Sequence, residues 1–145
     1  MAELVPEKYS DLFKKKAFAN LGTLMKDGSP QVTPVWFDYD GKHVRVNSAL
    51  GRVKDKNIRR DPRVALSLLG DKTSAQGMRE YLVVYGNARV TEGGAVPLLH
   101  RLAPIYLGPK ADYPPASMQN IAGYVTRIAP ARFSGIGPWV QKTTD

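Results

Sequence analysis

The chain has 145 residues, 43% hydrophobic and 23% charged, and a formal net charge of +8. That size and balance fit one domain spanning residues 1–145 around a single core, and the positive charge calls for an anionic partner such as nucleic acid, an acidic surface or a phosphorylated cofactor. It contains no cysteine, which excludes disulfides and thiolate metal sites; its two histidines, His43 and His100, lie far apart, so no metal site is expected.

No apolar run approaches the roughly 20 residues that cross a bilayer. The opening MAELVPEKYSDLFKKK has no apolar secretory segment, so a cytoplasmic protein without membrane insertion is expected. Pro6–Phe18 has the spacing of an amphipathic helix, with Tyr9, Leu12 and Phe13 on one side; its Lys14–Lys16 run reads first as a solvated helix end. Ala19–Met25 has strand character. KDGSP at 26–30 is a dense turn signal, with Asp27-Gly28 suited to a hairpin. Gln31–Tyr39 resumes as a strand, and Pro34 within it argues for a sheet edge or a bulge, because proline has no N–H for a ladder. Asp40-Gly41-Lys42 is a second turn, leading into a strand from His43 to Asn47.

Val44–Leu69, VRVNSALGRVKDKNIRRDPRVALSLL, reads as strand, short turn, basic helix, strand. Arg52, Lys54, Lys56, Arg59, Arg60 and Arg63 are offset only by Asp55 and Asp61, and Ser48 and Gly51 stand where strand gives way to helix. A helix start with small residues and a cationic first turn can hold phosphate, because N–H groups and the positive end of the dipole face the ligand. A solvated basic face is the alternative. Asp61-Pro62 stops the helix, and Val64–Leu69 is a strand of buried type. Gly70–Gly77 reads as a loop. Arg79–Val90 is a long strand in which Gly86 marks a bulge, as where a sheet curls toward a barrel. A helix through Ala95–Tyr106, a proline-rich loop at Gly108–Pro115, a helical turn at Ser117–Ala122 and a strand pair, Tyr124–Ala129 and Ala131–Ile136 around Pro130, complete the order αβββαββαββ. Tyr81 and Tyr85 share a register opposite Leu82 and Val84, so one sheet face carries tyrosines. His43 reads as an ordinary exposed or half-buried side chain and His100 as a structural one. Trp36 and Trp139 read first as core or interface aromatics. The expected fold is mainly β with a few flanking helices: about six or seven mostly antiparallel, Greek-key-like strands forming a closed or nearly closed barrel.

The stretch NSALGRVKDKNIRRDPRVALSL resembles the signature of the split β-barrel flavin-binding proteins related to pyridoxamine 5′-phosphate oxidase. TLMKDGSPQVTPVWFDYDG is similar to that family's opening hairpin, YLVVYGNARVT to its long strand, and RIAPARFSGIGPWV to its closing strands. Within the superfamily, the pattern of Arg52, Lys54, Asn57, Arg60, Asp61, Pro62 and Arg63 and the closing Gly137-Pro138-Trp139 are closer to the branch using the deazaflavin coenzyme F420. The oxidase proper grips pyridoxal phosphate with a C-terminal Trp and Arg, and Trp139 has no Arg after it, which counts against vitamin B6 oxidation.

The resemblance implies a homodimer with cofactor sites at the subunit interface and a small-molecule substrate. Arg52 and Lys54 fall where the family contacts the cofactor phosphate, with Asn57 one turn further. Gln31 and Thr33 fall on the strand lining the ring, beside Pro34, Val35 and Trp36. Val46, Asn47 and Ser48 fall at the ring's pyrimidine side and the ribityl chain. Charge-assisted bonds suit the phosphate, and an alternating strand offers a flat ring an apolar wall with a few fixed donors. The expected cofactor is F420 with FMN as the alternative, since both carry a ribityl phosphate. The acidic glutamyl tail of F420 suits a basic groove from Lys14, Lys15, Lys16, Lys56 and Arg59. The implied reaction is hydride transfer from reduced deazaflavin to an electron-poor alkene, enone or quinone; an FMN-dependent oxidase or flavin reductase and a non-catalytic cofactor-binding protein are the alternatives. Nucleic acid is disfavoured, because the basic residues are not interleaved with stacking aromatics.

Overall fold

The computed structural model describes residues 12, 17, 19–48 and 52–137. Apart from Leu12 and Ala17, the expected helix Pro6–Phe18 lies outside the described residues, as do Lys14–Lys16, Gly51, Pro138 and Trp139. Strands β1 (Ala19–Leu24) and β2 (Pro30–Val35) form the opening hairpin. In its turn the Asp27 carboxylate accepts the Ser29 N–H at 2.9 Å, and Gly28 adopts φ +86°, a conformation open to glycine. The second turn works alike: Asp40 Oδ1 accepts from the Lys42 and His43 amides at 2.9 and 2.7 Å. It joins β3 (Phe37–Tyr39) to β4 (Val44–Ser48). The run Gln31–Tyr39, expected as one strand, is two. It breaks at Trp36, so that β2 pairs with β1 while β3 pairs with β4.

After helix α1 (Val53–Arg60), β5 spans Arg63–Thr73 and β6 spans Arg79–Glu92. The expected loop from Gly70 is therefore partly strand. The two strands stay together as far as the pair Thr73–Arg79, across a register irregularity that begins at Leu69. Helix α2 (Ala95–Leu107) and a 3-10 turn (Ala116–Met118) precede β7 (Tyr124–Ile136). The two strands expected around Pro130 are one continuous strand, because a bulge absorbs the proline. Tyr85 pairs with Arg132 and Gly86 with Pro130, leaving Ala131 without a partner position.

The seven strands lie in the order β2-β1-β5-β6-β7-β4-β3, every neighbouring pair antiparallel. Pro34 sits on β2, an edge strand, where a missing N–H is tolerated. The edges β2 and β3 are consecutive through Trp36 but do not pair, so the sheet curls without closing. Its concave side is filled by alternate residues, among them Leu21, Phe37, Val46, Leu66, Val84 and Ile128, each at most 1% exposed. Burial of side chains this size contributes about 1.5–3 kcal/mol apiece. A second cluster joins Leu98, Leu102 and Tyr106 of α2 to Val125, with Trp36 against it. The buried Asp38 carboxylate ties the two regions together. It takes Arg45 at 2.8 and 2.6 Å from the neighbouring strand and Arg101 Nε at 3.1 Å from α2.

Gly86 shows how closely the bulge is built. A Cβ placed there would lie 2.1 Å from the Ala129 carbonyl oxygen, a backbone atom that cannot yield without breaking the β6–β7 ladder. Gly86→Ala should therefore destabilise the protein by about 2 kcal/mol or more, read as a lowered urea midpoint. A change below about 0.5 kcal/mol would show that the bulge relaxes freely.

Candidate functional site

Helix α1 turns an unusual set of side chains inward: Lys54, Asp55, Asn57 and Ile58 are all buried. Asp55 closes the helix start, its Oδ2 accepting the Arg52 N–H at 3.0 Å, where a carboxylate also meets the positive end of the dipole. Its Oδ1 is buried with no hydrogen-bond partner among the described residues. Lys54 is 9% exposed. Burial holds its ammonium below the ordinary pKa; Asp55 offsets part of the effect and Arg52 adds to it. A buried amine beside a guanidinium is short of negative charge, which an anionic ligand would supply.

These cations border an open cavity of about 850 Å³, within the roughly 300–1,000 Å³ range of small-molecule sites. Strand β2 contributes Gln31, Thr33, Pro34 and Val35, followed by Trp36; β4 contributes Asn47 and Ser48; α1 and its cap contribute Arg52, Val53, Lys54 and Lys56. Leu99, Tyr113 and Met118 complete the lining. Trp36 stacks on Tyr106 with centroids 4.9 Å apart at 12°, and meets Tyr113 edge-on at 5.9 Å. The Tyr106 hydroxyl accepts the Phe37 N–H at 3.4 Å and donates to the Ala17 carbonyl at 3.2 Å, which holds the aromatic wall to the fold. Burial pushes the Tyr106 phenol above its ordinary pKa, so it stays a neutral donor.

The structure thus brings Gln31, Thr33, Asn47, Ser48, Arg52 and Lys54 to one cavity. It does not bring Val46 or Asn57 there. The Val46 side chain faces the barrel core at 1% exposure. Asn57 makes internal bonds: Nδ2 donates to Thr23 Oγ1 at 3.0 Å and to Met25 Sδ at 3.4 Å, and Oδ1 accepts from Arg60 at 3.1 Å. Arg63 pairs with Asp61 at 2.7 Å on the surface, where that hydrogen bond holds the Asp61 carboxyl down to about 2. Of the groove expected for an acidic tail, Lys56 reaches the cavity, while the Arg59 guanidinium lies 5.1 Å over the Tyr124 ring. Leu99, Tyr113 and Met118 escaped the sequence reading. The apolar spacing of α2 pointed to its core face, and nothing in the proline-rich segment shows that it returns to β2.

The lining fits a molecule with a phosphate at one end and a flat ring at the other. The cations cluster around α1, the aromatic and aliphatic groups around Trp36, and between them the Thr33 hydroxyl is buried without a partner among the described residues. A hydroxyl so placed is open to a hydrogen bond with water or a ligand atom.

The half-open sheet is that of a split barrel, and residues 5–132 match the family described as pyridoxamine 5′-phosphate oxidase; the chain belongs to that family. It is similar to a solved F420 reductase, with 30% identity and a TM-score of 0.71 over 90% of this chain and 98% of that one. A conserved hypothetical protein of Mycobacterium tuberculosis has 23% identity and a TM-score of 0.70, over 92% of this chain and 85% of the other. A putative pyridoxamine 5′-phosphate oxidase of Lactobacillus delbrueckii has 22% identity and a TM-score of 0.57, over 90% and 93%. The last two share the fold. Among the described residues, no helix is long and apolar enough to cross a membrane.

Lys54 yields a two-sided prediction. Its folded pKa lies below the ordinary 10.5. The unfolded chain therefore binds more protons between those values, so ligand-free stability rises with pH there and the charged amine is a burden below it. Lys54→Met should raise the urea midpoint of the ligand-free protein at neutral pH. It should also weaken a phosphate-bearing ligand by about 1.5–3 kcal/mol, the worth of a hydrogen bond to a charged group. Equal affinity by calorimetry would remove Lys54 from the anion site.

Proposed function

We propose that the protein is an F420-dependent oxidoreductase acting on a small electron-poor substrate. The observation that carries this reading is the single cavity in which the buried Lys54, with Arg52, adjoins the wall of Val35, Trp36 and Tyr113. Arg52 and Lys54 hold the cofactor phosphate. The Val46 backbone with Asn47 and Ser48 holds the ribityl chain and the pyrimidine side, and Gln31 and Thr33 face the ring. Lys56 stands at the rim, where an acidic tail would leave. The likeness to an F420 reductase over nearly that whole chain favours deazaflavin over FMN.

Reduced deazaflavin, when bound, supplies a hydride to an alkene, enone or quinone. The chain's part is placement. The indole of Trp36, fixed on Tyr106, gives a planar acceptor an apolar surface and keeps water from one side of the ring. The reading includes a homodimer, supported by Leu69 and Tyr81, which face each other across β5 and β6 on the outer sheet surface at 55% and 36% exposure.

Titration with F420 and with FMN, followed by oxidation of the reduced cofactor with and without a quinone or enone, tests the reading. Tighter binding of F420, acceptor-dependent oxidation and sedimentation of the complex as a dimer are expected. Shortening the glutamyl tail should weaken binding, most at low salt. Tight FMN binding without F420 binding would replace this reading with an FMN-dependent oxidase or flavin reductase. Binding of either cofactor without turnover would leave a cofactor carrier.

A further inference from the structure

A chain of hydrogen bonds, buried at its centre, runs from the last turn of α1 to the cavity, and its direction is set from the Arg60 end. Arg60 donates to the Leu24 carbonyl at 3.1 Å and to Asn57 Oδ1 at 3.1 Å. A guanidinium has donors only, so the end of the Asn57 amide facing it is the oxygen. The Asn57 NH₂ group therefore faces Thr23, donating to Oγ1 at 3.0 Å. Thr23 has one hydroxyl proton, and with Oγ1 accepting from Asn57 it goes to Gln31 Oε1, 3.0 Å away. Asn57 and Thr23 are 1% and 2% exposed, so water does not substitute at either link. That bond turns the Gln31 oxygen toward Thr23, and its NH₂ group, without a partner among the described residues, is the end left for the cavity that Gln31 lines.

We propose that Asn57 is a positioning residue that sets the polarity of Gln31, making it a hydrogen-bond donor to whatever occupies the cavity. Thr33 lies two residues along the same face of β2, its hydroxyl buried and unpartnered among the described residues. Together they offer donors to the acceptor-rich edge of a heterocycle, its carbonyl oxygens and bare ring nitrogens. The relay stands on the bonds alone; its effect on affinity rests on the cofactor reading above.

Asn57→Asp reverses the chain. A carboxylate keeps the contact to Arg60 but has no proton to give, so it accepts the Thr23 hydroxyl proton. Thr23 Oγ1 must then accept from Gln31 Nε2, and the carboxamide turns to present oxygen to the cavity. The experiment follows the ¹⁵N-labelled Gln31 side-chain amide by NMR and the affinity for F420 by calorimetry. In the parent protein neither Gln31 amide proton should be hydrogen-bonded to Thr23; in Asn57→Asp one of them should be protected from exchange by its bond to Thr23 Oγ1, and F420 affinity should fall about tenfold. Adding Thr23→Val disconnects Gln31 and should return affinity to within about twofold of Thr23→Val alone, which damage to α1 would not do. An unchanged Gln31 amide in Asn57→Asp, or no recovery in the double variant, overturns the relay. If Asn57→Asp does not fold, Thr23→Val alone must loosen the Gln31 amide, and an unaltered order parameter overturns the proposal. Failure of the parent to bind F420 would overturn the cofactor reading instead, while the amide measurement would still decide the relay.

Discussion

Helix α1 has eight residues, and Ile58 is the one apolar side chain among the four it buries. A helix this short does not persist by its own propensity and normally depends on an amphipathic face. Here polar bonds take over much of that task. Asp55 caps the start, Asn57 is locked to Thr23 of β1 and to Met25 just after it, and Arg60 reaches the Leu24 carbonyl. Inside a protein such bonds are strong when complete and expensive when broken. The arrangement therefore fixes the helix in one rotation about its axis, which a greasy stripe would specify less sharply. That rotation is what brings Lys54 and Lys56 to the cavity.

The second constraint is the open seam. Strands β2 and β3 are neighbours in sequence but pair with opposite ends of the sheet, and Trp36 crosses between them. Had the edges paired, the barrel would have sealed and the seam would be core. Instead the indole rests on Tyr106, and Asp38 fixes the start of the β3–β4 ladder to α2 through Arg101. The bulge at Gly86 lets β6 and β7 curve enough to bring α1 and β4 to the same mouth. An apolar wall and a cationic rim then share one cavity, which suits a cofactor that is flat at one end and anionic at the other.

Local features were legible in the sequence because their causes are local. Asp27-Gly28 and Asp40-Gly41 name their turns, Gly86 marks its bulge, and Asp61-Pro62 stops α1. The density of basic residues after Ser48 pointed to the cationic end of the cavity. Features that a distant partner decides were not legible. Pro130 reads as a strand break, yet the extra residue it needs is absorbed against β6. The polar stretch from Gly70 reads as loop, yet β6 is present to pair with it. Asn57 falls in the basic motif, and no pattern within the motif reveals that Thr23, 34 residues earlier, takes its amide. Tyr113 and Met118 reach the cavity from a loop whose path depends on helix α2, to which His100 and Gln119 link it at 3.2 Å.

The central claim is that the buried Lys54 and its neighbour Arg52 form the anion end of a deazaflavin site. A crystal structure of the protein with F420 bound tests it most directly. The cofactor phosphate should lie within hydrogen-bond reach of both the Lys54 ammonium and the Arg52 side chain, with the ring between β2 and Trp36. A phosphate held elsewhere, with Lys54 still buried and unliganded, would contradict it.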